Sequence, residues 1–380
     1  MAKLKLYKKT YKNVEGFIVT DTEGHEFTYT ETDIVPLVAE ANGIYRAPKG
    51  TLYSPVIANI SDPTQTHYDD VELNTWEDLV MIGRSGSAPH YLEIGGIING
   101  TYTLTDGTTY DYPWIIVDFQ TVELQDGSTY DNVPIIQAQY LGHEDVVFDA
   151  PETKIATETT AQSGYYYVGC SGSTYTLLSL SAGDTIPYSD YTTAIYKTLW
   201  NDKDHVQYGN SAWALSYLRQ YLNNSGTGYW TAQHACDIAP STQGTGFLTY
   251  MPSEMVNALT PIKRTTMRTD YMNNTVDTTY DKFWIASHSE MNFATSSTMA
   301  NDGAPWAYYK QILNSDTPVT NDTYSAMIRY ACNGTTSAQT WWSRSPYIGY
   351  YSIHCINWQG YTGNTGPYSS LRVLPCTALI

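Results

Sequence analysis

Apolar and polar positions alternate through residues 3–30, from Leu4 and Leu6 to Phe17-Ile18-Val19 and Phe27-Thr28-Tyr29, with Asp21 to Gly24 as a turn. This spacing predicts a β-hairpin or small sheet. A short helix fits Asp33 to Asn42, stopped by Gly43. Residues 46–70 hold Pro48, Gly50, Pro55 and Pro63 with little periodicity and read as a linker or extended arm. Thr75 stands as a helix cap with Asp78 in the capping-box position, and Gly86 ends that helix near Arg84. Strand-like runs follow at 91–98, 114–119 and 135–139. Asp106-Gly107-Thr108-Thr109-Tyr110-Asp111 recurs as Asp126-Gly127-Ser128-Thr129-Tyr130-Asp131. Asp-Gly between strand-like runs marks a hairpin turn, because Gly accepts positive φ. Two copies predict a meander and are too few for a solenoid.

From about Tyr165 the pattern becomes denser in large apolar rings. Eight of the ten tryptophans lie between Trp200 and Trp358, which places the densest core there. Leu215, Leu218 and Leu222 fall at helical spacing within Ser211–Leu222, and Asn223 to Gly226 stops that helix. A second helix fits Ser253–Leu259, between Pro252 and Pro261. Asp281–Ala286 reads as a buried strand. The chain thus divides into residues 1–70, 71–164 and 165–380, and the fold class is α+β and β-rich.

Composition sharpens this picture. Hydrophobic residues make up 42%, so the chain folds into a globular core. Charged residues are only 15%, well under the usual quarter, while tyrosine reaches 35 copies. Such a chain builds strands and adhesive polar faces in preference to long solvated helices. The net charge is −18. Lys3, Lys5, Lys8, Lys9 and Lys12 all precede the first acid, Glu15, so the remaining body is more acidic still. Repulsion from phosphate argues against nucleic-acid binding outside that basic arm. No apolar stretch approaches the ~18 residues of a membrane span, and the first residues lack the apolar core of a signal peptide. The five cysteines have no metal-ligand spacing, and their odd count argues against a full disulfide framework. One pair among Cys332, Cys355 and Cys376 is left open.

The ordered segments Tyr208-Gly209-Asn210-Ser211-Ala212-Trp213 to Asn223, Asp281-Lys282-Phe283-Trp284-Ile285-Ala286-Ser287, Trp341-Trp342-Ser343-Arg344-Ser345-Pro346 and Val373-Leu374-Pro375-Cys376 carry a resemblance. They are similar to a lectin-like domain of unknown function found in prophage and gut-bacterial proteins, with the pattern YGxNxWxxSxLRxWLN, DKxFLLS, WWLRSP and VRPA. The last segment departs from it, with Leu374 where the family has Arg; Arg372 or Arg344 is the candidate substitute. The resemblance covers roughly residues 75–380. It implies a C-terminal fold of the C-type-lectin or formylglycine-generating-enzyme type, preceded by small β modules, in a phage or prophage virion protein. On that reading residues 1–70 are an N-terminal attachment domain with linker, 71–164 a small β-rich module, and 165–380 the C-type-lectin-like domain. Localisation follows as the virion, assembled in the host cytoplasm, in a decoration or fibre role on head or tail. The partners are other virion proteins, through the N-terminal region, and a host-surface glycan or protein, with no nucleic acid and no membrane insertion. A homotrimer is expected by analogy with fibre proteins.

The best ligand-binding candidates are Tyr347, Tyr350, Tyr351, His354, Trp358, Tyr361, Asn364 and Tyr368, with Asn357 and Gln359 as added polar contacts. Large flat rings on Gly, Asn and Ser spacers offer rigid contact area with adaptable hydrogen bonds. The plain alternative is a tyrosine-rich loop packed on its own core. Arg344 reads as a donor to loop carbonyls, and Arg219 as a donor to its neighbours'. No cofactor is expected. Calcium at Asn201, Asp202 and Asp204 is the alternative, since Trp200-Asn201-Asp202 spells a calcium-lectin tripeptide far upstream of its usual place. An enzyme is not expected. Glu254, Asp281, Glu290 and Asp302 could supply the two carboxylates of a glycosidase, but no motif pairs them. Cys355 and His354 adjoin on a strand and so point to opposite faces. A polysaccharide-degrading virion enzyme and a bacterial adhesin are the alternatives.

Overall fold

The computed structural model describes six short strands between Tyr11 and Pro55 and most of the chain from Thr75 to Ile380. In that second stretch residues 87, 151–153, 157, 164, 172–173, 188–192, 198–210, 234–238, 241–243, 271–272, 295–301, 321 and 348–351 are not described. The architecture is α+β and β-rich, and the longest described helix has nine residues.

Near the N-terminus, Tyr11–Asn13, Phe17–Thr20 and Glu26–Tyr29 pair as an antiparallel meander, as their alternation predicts. The helix expected over Asp33–Asn42 is not formed at Val38–Ala39, which is a strand paired with Ile44–Arg46. The rest of that expected helix lies outside the described residues; the β-branched Val38 favours extension.

One antiparallel sheet organises the body, in the order Trp284–Ile285, Pro375–Ala378, Thr129–Ala138, Trp114–Glu123, Ile97–Ile98. The 375–378 strand lies between partners taken from both sides of residue 164. A single apolar core runs from Trp76 through Ile135 and Trp284 to Ile380. The expected boundary at 164/165 therefore separates neither a sheet nor a core. A different segment stands apart: Lys154–Ile155, Thr193–Lys197, Tyr166–Ser171 and Thr174–Leu178 form their own four-stranded sheet. Its small apolar cluster includes Ala161, Tyr167, Leu178 and Ile186.

Local chemistry sets several elements as expected. Trp76–Arg84 is a helix closed by a full capping box between Thr75 and Asp78, and Gly86 beyond it has φ +73°. The two Asp-Gly repeats make equivalent turns: Asp106 Oδ1 accepts from the Thr108 amide and Asp126 Oδ1 from the Ser128 amide, at 2.8 and 2.9 Å. Ser253–Ala258 is the expected second helix.

The helix expected over Ser211–Leu222 is instead a 3-10 turn, Trp213–Leu215, followed by an α-helix, Tyr217–Leu222. Ser216 between them is extended, and its hydroxyl accepts from the Arg219 amide at 3.1 Å. A serine that can cap outcompetes continuity of the apolar stripe. Helix 217–222 docks on residues 148–149: the Leu218 amide donates to Phe148 O at 3.0 Å and the Tyr217 amide to Asp149 Oδ1 at 3.1 Å. Asp281 then ties the pieces together. It accepts from Trp213 Nε1 at 3.0 Å, Arg219 Nε at 2.6 Å and Thr279 Oγ1 at 2.7 Å. Arg219 also donates to the carbonyl of Ala214, as its position predicts. Of Asp281–Ala286, Trp284–Ile285 is the paired strand.

Trp341–Pro346 is buried along its whole length and pairs with Ile353–Ile356, which pairs with Thr362–Thr365. Trp341 and Trp342 are both fully buried, and Trp342 Nε1 donates to Val146 O at 2.7 Å. Arg344 does donate to a loop carbonyl, Asp302 O, at 2.7 Å. It also enters a buried charge network. Its guanidinium pairs with Glu290 at 2.9 Å and with Asp302 Oδ2 at 3.3 Å, while Arg264 pairs with the same Glu290 oxygen and lies over the Trp284 ring. Buried charges persist only when paired in this way.

Candidate functional site

The hairpin between strands 353–356 and 362–365 presents the most exposed large ring of the described chain. Asn357 builds its turn: the side-chain oxygen accepts from the amides of Gln359 (2.9 Å) and Tyr361 (3.0 Å), and its carbonyl accepts from Gly360 (2.9 Å). Gly360 has φ +82°, open to glycine at no steric cost. An added Cβ there would also lie 2.1 Å from the Tyr324 carbonyl oxygen. The turn is thus pinned by its own side chain and by a neighbouring segment. At its apex Trp358 is 57% exposed, with Tyr361 41% exposed at the far side of the turn. Tyr368, 47% exposed, follows in the next turn with its ring over Gly366. A bare indole on a pinned turn is an arrangement that stacks on a flat partner at low entropy cost.

The predicted aromatic set divides in two. Trp358, Tyr361, Tyr368 and Asn364 are exposed, and Asn364 sits opposite His354 in the ladder. His354 itself is 2% exposed and packs against His288 with tilted rings, their centroids 4.4 Å apart, and Tyr347 at 5.1 Å. His354 is therefore a core residue and not a ligand contact, because its strand 353–356 is buried on both faces. Tyr347 is half-buried beside it, and Tyr350 and Tyr351 lie outside the described residues. Asn357 spends its side-chain oxygen on the turn, which leaves Gln359 as the exposed amide.

Burial depresses the His354 imidazole to about 4 from an ordinary value of 6.5. Between these values the unfolded chain holds the extra proton, so the stabilisation is complete above about pH 6.5 and lost as pH falls toward 4. At about 1.36 kcal/mol per pH unit the loss reaches about 3 kcal/mol at most. Urea unfolding of the wild type between pH 7 and pH 4 should show this slope, and His354→Gln should flatten it. An unchanged slope in the variant would mean that His354 is not held neutral in the fold.

The candidate catalytic groups are committed elsewhere. Asp281, Glu290 and Asp302 are buried in the ion pairs described above, and Glu254 is exposed in the first turn of helix 253–258. Cys170, Cys332, Cys355 and Cys376 are free thiols, so no disulfide links the last three. Burial pushes the Cys332 thiol up to about 11 and Cys355 up to about 12, away from the thiolate. Asn201, Asp202 and Asp204 lie outside the described residues. Among the described residues no group of three or more His, Cys, Asp or Glu could hold a metal ion.

Two features escape the sequence. Tyr102 Oη bonds His143 Nδ1 at 2.9 Å, Tyr250 Oη donates to Glu144 at 2.8 Å, and the two tyrosine rings stack at 4.9 Å. This cluster fastens the hairpin 101–111 to the body. Beside that hairpin lies an open groove of about 740 Å³ whose walls include Tyr110, Tyr140 and Tyr330. The only signal for either was the density of tyrosine itself, since their residues come from distant segments.

A family model described as a domain of unknown function, DUF6273, matches residues 189–379, half of the chain. Its span takes in the Trp358 hairpin, the buried charge network and the 375–378 strand. No curated protein and no solved structure matches the chain.

Proposed function

The chain belongs to the DUF6273 family, and on that premise we propose that it is a phage or prophage virion protein, displayed on head or tail, whose C-terminal domain is C-type-lectin-like and binds host-surface glycans. The observation that carries this reading is the Trp358 hairpin. An indole more than half exposed stands on a turn that is held by the Asn357 side chain and by a glycine fitted against Tyr324. Nothing in the core requires that ring, whereas stacking on a sugar face does. The acidic body favours uncharged ligands over polyanions. Residues 1–70 would then hold the particle, and the hairpin would face outward.

The test is a glycan array and a host-cell binding assay with the full chain, with and without EDTA. Trp358→Ala should lower binding about 30-fold, the ~2 kcal/mol of an aromatic hot spot. Its melting temperature should stay at the wild-type value, because so exposed a ring adds little to the core. Wild-type binding of every glycan hit by a folded Trp358→Ala protein would sink this reading, and turnover of a polysaccharide would replace it with the enzymatic one.

A further inference from the structure

We propose that the groove between the hairpin 101–111 and residues 330–336 is a second binding site, one that takes an uncharged saccharide and does not cleave it. It shares with the proposed function only the class of ligand, being built from other residues. At about 740 Å³ it falls in the ordinary range of small-ligand clefts, about 300–1,000 Å³.

Its walls are fixed before any ligand arrives. Tyr110 is paired in register with Tyr102, which is fully buried and bonded to His143. On the other side Leu141 donates to Tyr330 O and accepts from the Cys332 amide, each at 2.9 Å, a bridge between segments nearly two hundred residues apart in sequence. Asn333 closes the next turn: its Oδ1 accepts from Thr335 Oγ1 at 2.6 Å, with Gly334 at φ +76°. That leaves the Asn333 amide nitrogen as a donor on a rigid turn.

The lining chemistry selects the ligand. Three tyrosines, Tyr110, Tyr140 and Tyr330, supply flat faces with hydroxyl edges, and Tyr330 is 41% exposed. Asp111 supplies a carboxylate acceptor, and threonines complete the polar lining. The lining has no Lys, Arg or His, so an anionic ligand would meet one carboxylate and no counter-charge. Flat rings beside a few oriented donors and acceptors suit a polyhydroxylated, uncharged ring. Asp111 is the single acid of the lining, and glycoside hydrolysis needs two carboxylates. Cys332, in the wall, is a neutral thiol and offers no nucleophile in exchange. The groove is therefore a site of retention. It also joins residues on both sides of position 189, so the family-matched segment alone would carry only the 330–336 wall of it.

The test uses the full chain and an array of neutral and anionic oligosaccharides, followed by calorimetric titration of the neutral hits. The variants are Tyr330→Ala, Asn333→Ala and Trp358→Ala, each checked for an unchanged melting temperature. Expected is at least one neutral glycan whose affinity falls about tenfold or more in Tyr330→Ala or Asn333→Ala and holds in Trp358→Ala. If every neutral hit depends on Trp358 alone, the groove proposal is overturned while the hairpin reading stands. Binding confined to anionic glycans, or no binding that responds to Tyr330 or Asn333, overturns it as well. Should Tyr330→Ala unfold, Asn333→Ala decides, since that side chain bonds only within its own turn.

Discussion

Arg344→Met is expected to lower the unfolding free energy by about 3–5 kcal/mol, the cost of leaving buried charge unpaired. The side chain is fully buried and serves Glu290, Asp302 Oδ2 and the Asp302 carbonyl at once. Without it, Glu290 keeps Arg264 and Asp302 loses its paired cation. Burial already raises the Asp302 carboxyl above the usual carboxylate range, so Asp302 is the group that takes up a proton in the variant. The deficit should therefore be largest near neutral pH and shrink as pH falls. Arg344→Lys should not restore stability, because a single ammonium cannot reach the two acids and the carbonyl in one plane. Urea unfolding at pH 7 and pH 5 measures all three. An Arg344→Met protein within about 1 kcal/mol of wild type would show that the network holds no unpaired charge at a cost.

Gly83→Ala is the second large effect, and here two terms oppose each other. Alanine improves helix propensity by about 1 kcal/mol over glycine, which would stabilise an isolated 76–84 helix. In the fold, an added Cβ would stand 1.7 Å from the Leu379 carbonyl oxygen and 3.4 Å from Pro134 Cδ. The obstacle is the Leu379 backbone, which donates its amide to Pro134 O at 3.0 Å, beside the 375–378 strand. That carbonyl cannot yield without moving the sheet, so the ordinary overpacking cost of about 1–3 kcal/mol is a lower bound. We expect a net loss of about 2 kcal/mol or more in chemical denaturation of the full chain. A rise in stability would mean that helix 76–84 does not pack against residues 379–380, and that residues before 164 fold as a separate module.

What the sequence disclosed were features decided within a few residues. Thr75 and Asp78 are three apart, Asp106 and Asp126 each bond two residues on, and Pro252 and Pro261 bracket their helix. At Ser216 an apolar stripe and a cap compete at short range, and the cap wins. Sheet order was not legible, since an isolated strand carries no address for its partner. The same limit applies to function. Trp358 could be singled out from its Gly and Asn spacers, whereas the burial of His354 depends on both neighbouring strands. Tyr110, Tyr140 and Tyr330 had no local mark, because the hairpin and the 330–336 loop meet only in the finished fold.

The place of the 375–378 strand bears on how the protein is made. Gln137 and Cys376 are partners in register and 239 residues apart. At about 5–20 residues per second, a ribosome needs about 10–50 s to deliver that partner after strand 129–138 has emerged. Meanwhile one edge of 129–138 can close on 114–123, but the other stays open, with Ile135 and Ile136 beside it. Open apolar edges recruit other strands, and on a polysome the nearest ones belong to nascent chains of the same sequence. Self-association during translation is thus the hazard this sheet order creates, and slower or more crowded translation makes it worse.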